Sequence, residues 1–447
     1  MKIVVIDDDP TGSQTVHGCL LLLRWDVDVL RHGLRHPSPL LFVLANTRAL
    51  PTTAAAERNR EIAAALDEAL LAECLTRRDV LLVSRGDSTL RGHGVLEPDT
   101  LQQAFGPFDA TFHVPAFLEG GRTTVNGVHL LNGEPVHKSS FARDRLFGYR
   151  TSDLAAWLEE KSHGRIVAET VARLSLAALE SDRDLLKEWL FSLQGNQPVV
   201  VDATRPEHLE ALGWAIVQLH GSKRFLFRSA ASLLNGLANA APASLGPQLL
   251  SPRELADGRR CDAIGRPMPG LVMVGSHVPL ADQQLECLLK EPRCRGIELP
   301  VHLVYRVLEG GSPDLLLDDL EQQWQQQIRT SISAKLTPVI YTSRGELCFG
   351  SDSASQLRRM HFGMDLARLM ARLVGSIALE LGYVISKGGI TTGVFLEEGL
   401  GVPLVHLQGQ LMPGLSAVKA RDLLVVTCPG NLGNSRTLIE AWKLVEN

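Results

Sequence analysis

The chain alternates between short uncharged apolar runs and longer segments whose apolar residues recur every three or four positions. Runs of four to seven such residues are typical of buried parallel strands, and the longer periodic segments are typical of helices. The predicted strands are residues 3–6, 40–44, 80–83, 111–115, 164–167, 198–201, 225–230, 270–274, 298–304, 338–343, 383–385 and 423–427. The predicted helices are residues 52–74, 152–161, 175–192, 206–219, 279–289, 312–331 and 361–381.

The alternation of strand and helix predicts an α/β fold of two doubly wound domains with mostly parallel sheets. A chain of 447 residues is too long for one ordinary core. Residues 240 to 269 are rich in Pro, Gly, Arg and Ala and show no sustained period. We therefore predict an N-terminal domain over residues 1–246, a linker over 247–269 and a C-terminal domain over 270–447, with the active site in the cleft between the domains. The segment 125–151 shows neither period and is predicted to be an irregular loop.

Composition narrows the class of protein. Apolar residues make up 45% and charged residues 21%, with a net charge of −5, so bulk charge gives no attraction to nucleic acid or to an anionic membrane. The seven cysteines are scattered and form no C-x-x-C pair, as in proteins of a reducing cytosol. No apolar run approaches the roughly 20 residues that span a bilayer, and the run at residues 2–6 is too short for a signal peptide. These features predict a cytoplasmic protein.

Three carboxylates follow the first predicted strand. Asp7, Asp8 and Asp9 come directly after the buried run, where they could hold Mg²⁺ or take a proton from a substrate hydroxyl. Pro10 and Gly12 are predicted to fix the turn, and Thr11 or Ser13 to cap a helix. The structural alternative is a solvated turn of mutually repelling acids.

The densest polar stretch follows the strand at residues 80–83. Open α/β sheets bind ligands at the carboxyl ends of their strands, and this end carries two guanidiniums, an acid, two hydroxyls and a glycine: Arg85, Gly86, Asp87, Ser88, Thr89 and Arg91. The two arginines could fork onto a carboxylate or a phosphate. Arg48 follows the second strand in the same way. The alternative is a polar loop tied by an Arg–Asp pair.

Three turns of small residues follow strands in the second half. They contain Ser276 after residues 270–274, Gly388, Gly389 and Thr391 after 383–385, and Gly430 and Asn431 after 423–427. Backbone amides in such turns can cradle phosphates, with Lys387 as a nearby point charge. The order of a Walker loop is absent. The turns predict a nucleotide cleft, and plain glycine turns with a capping Thr are the alternative.

Five motifs in this order resemble the four-carbon acid sugar kinase family over essentially the whole chain. They are Asp8-Asp9-Pro10-Thr11-Gly12, Arg85-Gly86-Asp87-Ser88-Thr89-Leu90-Arg91-Gly92, Val274-Gly275-Ser276-His277, Ser386-Lys387-Gly388-Gly389-Ile390-Thr391 and Pro429-Gly430-Asn431-Leu432-Gly433. The resemblance implies an N-terminal sugar-acid-binding domain and a C-terminal nucleotide-binding domain. It further implies transfer of the ATP γ-phosphoryl group to a hydroxyl of a small aldonate such as threonate or erythronate.

The residues and the resemblance together lead to one hypothesis. Arg48, Arg85 and Arg91 hold the carboxylate of the acid, and Gly86 lets the backbone approach it closely. Ser88 and Thr89 bind the hydroxyls of the acid. One of Asp8, Asp9 or Asp87 takes the proton from the attacking hydroxyl. ATP contacts Ser276, Gly388, Gly389, Thr391, Gly430 and Asn431, and Mg²⁺, whose ligands the sequence does not identify, bridges the phosphates. The expected partners are thus a sugar acid and ATP, with no nucleic acid and no membrane, and a homodimer is left open.

Two other classes of function are compatible with these motifs. One is another nucleotide-dependent enzyme acting on a small carboxylate, such as a ligase or a dehydrogenase, although the Gly-x-Gly-x-x-Gly fingerprint of a dehydrogenase is missing after the first strand. The other is a non-catalytic sensor of sugar acids, which could dispense with the acidic motif.

Overall fold

The structure is a computed structural model that describes residues 1–9, 16–239, 248–309, 313–345, 347 and 353–446. The predicted roles of Pro10, Thr11, Gly12 and Ser13 fall outside the described residues. The chain divides into two compact units, Met1–Gln248 and Leu249–Asn447, called the first and second unit below.

The first unit is built around a parallel sheet. Its central strands consist almost entirely of uncharged apolar residues, as expected for a sheet that is buried on both faces. Its strands are β1 Lys2–Asp7, β2 Leu20–Leu22, β3 Leu40–Leu44, β4 Val80–Arg85, β5 Ala110–Val114, β6 Arg122–Val125, β7 Val128–Leu131, β8 Glu134–Pro135, β9 Ala172–Leu174, β10 Gln197–Val201 and β11 Phe225–Ser229. Its helices are α1 Val27–Arg35, α2 Thr52–Ala72, α3 Leu96–Phe105, α4 Leu154–Lys161, α5 Leu176–Leu179, α6 Arg183–Ser192, α7 Pro206–Gln218 and α8 Ala231–Asn239.

Eight of these strands form one parallel sheet in the order β2-β3-β1-β4-β11-β5-β10-β9. After β1 the chain adds β3 on one side and then β4 on the other. The strand order therefore reverses between β1 and β4, which is where open parallel sheets bind ligands.

The segment predicted to be an irregular loop instead begins with a small antiparallel sheet, β6-β7-β8. Two Asn-Gly pairs make its turns: Asn126 and Gly127, then Asn132 and Gly133, all with φ between 51° and 84°. Asn-Gly is a strong hairpin signal because both residues tolerate positive φ. The strand predicted at residues 164–167 is also wrong, since Gly164 lies in a turn at φ 81° and the strand is β9.

The second unit repeats the doubly wound pattern with an antiparallel extension. Its strands are β12 Gly270–Val274, β13 Cys294–Leu299, β14 Thr337–Thr342, β15 Tyr383–Lys387, β16 Leu404–Met412, β17 Leu415–Ala420 and β18 Leu423–Cys428. Its helices are α9 Pro252–Gly258, α10 Pro279–Leu289, α11 Val301–Leu308, α12 Pro313–Ser333, α13 Ser353–Gly375, α14 Gly389–Val394 and α15 Thr437–Glu446.

Within this unit the strand order is β13-β14-β12-β15-β18-β17-β16. The first five strands are parallel, and β17 and β16 pair antiparallel at the end. The order reverses between β12 and β15, so this unit also has a switch point. The strand predicted at residues 298–304 is wrong over its second half, where α11 begins.

The segment predicted as a linker over residues 247–269 differs in the structure. From Leu249 onward it belongs to the second unit. Helix α9 begins with a capping box between Ser251 and Glu254, and its Leu255 is buried in the core of that unit. Residues 240–247 lie outside the described residues. Among the described helices, none is long and apolar enough to cross a membrane.

Candidate functional site

The carboxyl ends of β1 and β4 meet at the switch point of the first unit. Asp7 and Arg85 are register partners, and the Asp8 amide donates to the Arg85 carbonyl oxygen at 3.3 Å. The two polar stretches that the sequence singles out, residues 7–9 and 85–91, are therefore neighbours at one edge of the sheet.

Arg48 reaches this edge from the loop after β3. Its Nη2 lies 2.6 Å from Asp8 Oδ1 and its Nη1 lies 3.2 Å from Asp9 Oδ2. Burial disfavours the charged guanidinium, but the neighbouring carboxylates outweigh this and raise the pKa of Arg48. In this arrangement Arg48 holds Asp8 and Asp9.

Arg85 is buried against the acids in the same way. Its Nη1 lies 3.4 Å from Asp7 Oδ1 and 3.8 Å from Asp8 Oδ1. Within the described part of the chain, Asp7 Oδ2 and Arg85 Nε are buried and have no hydrogen-bond partner. Burial, partly offset by the charge of Arg85, raises the pKa of Asp7 to about 7.

Asp87 anchors the loop after β4. Its carboxylate accepts hydrogen bonds from the Thr89 amide at 3.2 Å, the Thr89 hydroxyl at 2.5 Å and Arg91 Nε at 2.7 Å. Burial alone would raise the pKa of Asp87, but the charges of Arg48 and Arg91 and these hydrogen bonds lower it well below its usual range. Asp87 is thus a carboxylate at any physiological pH.

Two buried side chains fix the main chain of this loop. His129 Nε2 lies 2.7 Å from the Ser88 carbonyl oxygen, and the Tyr149 hydroxyl donates to the Thr89 carbonyl oxygen at 2.7 Å. Burial lowers the pKa of His129 to about 4, so the ring is neutral. Because a carbonyl can only accept, Nε2 carries the proton, and the Thr124 hydroxyl donates to Nδ1 at 3.0 Å.

Sequence reasoning missed Arg228 and Glu97 as parts of this cluster. Arg228 lies near the carboxyl end of β11, beside β4, and its Nη1 donates to Ser84 Oγ at 2.8 Å and to Glu97 Oε2. Its Nη2 lies 3.6 Å from Asp8 Oδ2. The signal for Arg228 was present, because it follows a buried apolar run as Arg85 does, whereas nothing local marked Glu97.

The packing of Arg228 leaves no room for a side chain at Gly86. A Cβ there would lie 2.3 Å from Arg228 Nη2. A cavity of about 20 Å³ beside it is lined by both signs of charge, with Asp87, Arg91, His113 and Arg228 among its walls. The cavity has room for about one water molecule, with cationic donors and a carboxylate acceptor among its lining residues.

In the second unit, β12, β15 and β18 are adjacent, so the three turns of small residues lie at one edge. The amides of Gly275 and Ser276 donate to the Lys387 carbonyl oxygen at 3.1 and 3.3 Å. The Gly388 amide donates to the Cys428 carbonyl oxygen at 2.9 Å. The structure thus brings together the turns that the sequence places far apart.

These turns approach one another too closely for side chains. A Cβ on Gly275 would lie 2.0 Å from Thr391 Oγ1, and a Cβ on Gly430 would lie 2.5 Å from Ser276 Oγ. Gly388 has φ 123°, a conformation that side chains disfavour. Ser276, Gly388, Thr391 and Gly430 therefore converge.

Gly389 begins α14, whose first amides have no carbonyl one turn earlier to bond and can face a ligand. Thr392 is structural, because its hydroxyl donates to the Gly388 carbonyl oxygen at 2.8 Å. Lys387 differs from the prediction of a point charge facing the ligand: it is 1% exposed, and its amine binds main-chain carbonyls. Asn431 is exposed in the third turn.

The acidic residues do not form a ready magnesium cage. Among the described residues there is no group of three His, Cys, Asp or Glu side chains that could hold a metal ion, and Asp8 and Asp9 both bind Arg48. Mg²⁺ commonly keeps several waters and binds through substrate phosphates, so the donors present fit an ion that arrives with a nucleotide.

Two family models match this chain, one within each of the two compact units. Residues 3–237 match the family model of a sugar-binding N-terminal domain, and residues 271–438 match that of a nucleotide-binding C-terminal domain. A D-threonate kinase of Salmonella typhimurium is 25% identical over 100% of this chain and 99% of its own length. A D-erythronate kinase of Heliobacterium modesticaldum is 27% identical over 64% of this chain and 60% of its own length.

A solved structure from Salmonella typhimurium has the same fold. It aligns with a TM-score of 0.68 and 18% identity, covering 99% of this chain and 98% of the other. This likeness concerns the fold alone.

Proposed function

The chain belongs to the four-carbon acid sugar kinase family, and from this premise we propose that it phosphorylates a hydroxyl of a small sugar acid, such as threonate or erythronate, with ATP. One observation carries the proposal. The switch point of one unit holds a cluster of Arg and Asp suited to a polyhydroxy acid, and that of the other holds turns of small residues suited to phosphates. We assign acid binding to residues 1–246 and nucleotide binding to residues 270–447. We place the reaction in the cytoplasm, where ATP is available.

We propose that the acid binds over the loop that Asp87 anchors. Within the described residues, the hydrogen bonds of Arg91 to Asp87 and Thr89 use only Nε. The two amino groups of its guanidinium, which lies over the Phe141 ring, remain for the substrate carboxylate. Ser88 and Thr89 bind substrate hydroxyls beside Gly86. Arg48 and Arg85 supply positive potential while they hold the three N-terminal acids.

Asp87 is the proposed acceptor for the attacking hydroxyl. Asp8 and Asp9 are held by Arg48. Asp87 is held by Thr89 and Arg91, but it also lines the small cavity beside the proposed acid site. A carboxylate with a lowered pKa is a weak base, but phosphoryl transfer through a loose transition state depends mainly on orientation and charge neutralisation. Asp87 orients the hydroxyl, whose oxygen bonds to the γ-phosphorus as ADP leaves, and it takes the proton.

ATP is proposed to lie along the edge formed by Ser276, Gly388, Gly389, Thr391, Gly430 and Asn431. The first amides of α14 and the Ser276 and Thr391 hydroxyls would face its phosphates. Mg²⁺ bound to those phosphates would neutralise charge that develops during transfer.

The test is ADP release by the purified protein with Mg²⁺ and ATP. The substrates are threonate, erythronate and their enantiomers, with threitol and erythritol as controls that keep the hydroxyls but lack the carboxylate. We expect turnover with at least one acid and none with the polyols. Binding of an acid without ATP turnover would replace the kinase by a sensor of sugar acids, and turnover with a different class of carboxylate would replace the substrate class.

A further inference from the structure

Lys387 touches all three turns of the nucleotide edge. It is the last residue of β15, directly before Gly388, and its carbonyl oxygen accepts the amides of Gly275 and Ser276. Its Nζ donates to the carbonyl oxygens of Pro429 at 2.7 Å and Gly430 at 3.2 Å. Lys387 therefore hydrogen-bonds to the first turn through its main chain and to the third turn through its side chain.

The amine of Lys387 has no acidic partner within the described part of the chain. The neighbouring β12 and α14 carry no titratable side chains, and β18 contributes the Cys428 thiol. Burial raises the pKa of that thiol to about 12, so it stays neutral. His277 in the first turn bonds the Thr342 hydroxyl at 2.8 Å.

A buried ammonium compensated only by carbonyl dipoles is incompletely stabilised. Burial accordingly lowers the pKa of Lys387 to about 8. The carbonyl oxygens that it binds belong to the third turn, and a Cβ on Gly430 would touch the Ser276 hydroxyl of the first turn. The positive charge thus lies directly behind the surface that the proposed function gives to the phosphates.

We propose that Lys387 is a positioning residue that joins the three turns, and that the phosphates of the nucleotide supply the negative charge its buried ammonium lacks. The inference rests on the proposed nucleotide site and deepens it. Lys387 acts through the turns and does not contact the ligand.

This role couples nucleotide affinity to protonation. If phosphates stabilise the ammonium, the bound protein holds the proton more tightly than the free protein. By linkage, affinity must then fall as the pH rises through the pKa of the free state.

The first measurement is calorimetric titration of the protein with Mg²⁺ and ATP at pH values from about 7.5 to 9, where the ATP phosphates do not titrate. With a free-state pKa of about 8 and a bound-state pKa about one unit higher, which corresponds to a tenfold gain in affinity, we expect the dissociation constant to rise about fourfold over this range. An affinity that does not change with pH in the wild-type protein overturns the inference without any variant.

The second measurement uses Lys387→Met, which keeps most of the length of the side chain and removes its charge and donors. We expect affinity for ATP at pH 7.5 to fall about tenfold and its dependence on pH to disappear, with the KM for the acid unchanged. The matched control is Lys290→Met, since Lys290 is an exposed lysine of the same unit paired with Glu286. If the variant keeps the wild-type pH dependence, Lys387 is not its source and the inference fails.

The two proposals fail differently. If the wild-type protein does not bind ATP at any pH, the proposed function is wrong. If ATP binds with a constant affinity that Lys387→Met does not alter, the kinase proposal stands and the inference about Lys387 falls.

Discussion

The two units use the same topological position in opposite ways. At the switch point of the first unit, acidic and basic side chains meet: Asp7, Asp8 and Asp87 face Arg48, Arg85, Arg91 and Arg228. At the switch point of the second unit, main-chain amides and small side chains meet, with one buried lysine behind them. Parallel-sheet topology therefore fixes where a site lies and leaves its chemistry to the residues that follow the strands.

The contrast corresponds to the two proposed ligands. A four-carbon acid is small, so its carboxylate and hydroxyls must each be addressed by a directional side chain. A triphosphate spreads its charge over many oxygens, which backbone amides can approach where no Cβ intervenes. The first region should consequently be sensitive to loss of charge and the second to gain of volume.

The largest expected effect comes from removing charge in the first region. Asp87→Ala should lower kcat about a thousandfold, because the attacking hydroxyl loses its acceptor and Arg91 loses its partner. ADP release is the measurement, and ATP affinity, read by calorimetry, should stay as in the wild type. Asp28→Ala, at an exposed aspartate in the same unit, is the control. Full activity in the Asp87 variant would remove Asp87 from the mechanism.

The next effect concerns stability within the same cluster. Arg228→Gln leaves the buried Glu97 carboxylate without its counter-charge and should lower the free energy of unfolding by about 3–5 kcal/mol. In the double variant with Glu97→Gln, the loss should be smaller than the sum of the two single losses. Urea denaturation of all four proteins measures this. Additive losses would show that the pair does not act as a unit.

The corresponding test of the second region adds a methyl group to one of its closely packed turns. Gly275→Ala places a Cβ 2.0 Å from Thr391 Oγ1, so the first turn or α14 must shift. ATP affinity should fall more than tenfold while the affinity for the acid is kept. Gly363→Ala is the matched control, since a Cβ there meets nothing within 4 Å. Unchanged ATP affinity in Gly275→Ala would show that close approach of the turns is not required.

The last predicted effect is a dependence of the free energy of unfolding on pH, caused by the titration of Asp7. The pKa of Asp7 is raised to about 7 in the folded protein, so the folded state binds this proton more tightly than the unfolded state. The stabilisation that protonated Asp7 provides is present at low pH and is lost as the pH rises through about 7. Relative to Asp7→Asn, the wild-type free energy of unfolding should fall by about 2.5 kcal/mol between pH 5 and 8. A difference that is constant with pH would contradict the raised pKa.

The sequence predicts the elements that carry both sites because their signals are local. The bounds of β3, β12 and α10 match the predicted ranges, since uncharged apolar runs and a helical period end at turn residues there. The positions of Asp87 and Gly388 at strand ends follow from the same runs. Their functional roles stay predictions that the experiments above test.

The contacts between distant segments could not be predicted from local pattern. Glu97 meets Arg228 because β11 lies beside β4, and it also accepts the hydroxyl of Thr47, about fifty residues earlier in the chain. Lys387 turns inward because carbonyls about forty residues later accept its amine. The sequence prediction also missed the hairpin of β16 and β17, in which β17 pairs with β18.

The position of β11 has a consequence for the protein during its synthesis. It is the last strand of the first unit in chain order, yet it lies between β4 and β5. Until Phe225–Ser229 leaves the ribosome, β4 and β5 each present an unpaired edge to which other chains can add. Arg228 arrives with the same strand, so a nascent chain closes these edges and completes its acid cluster together, only after residue 229 has been made.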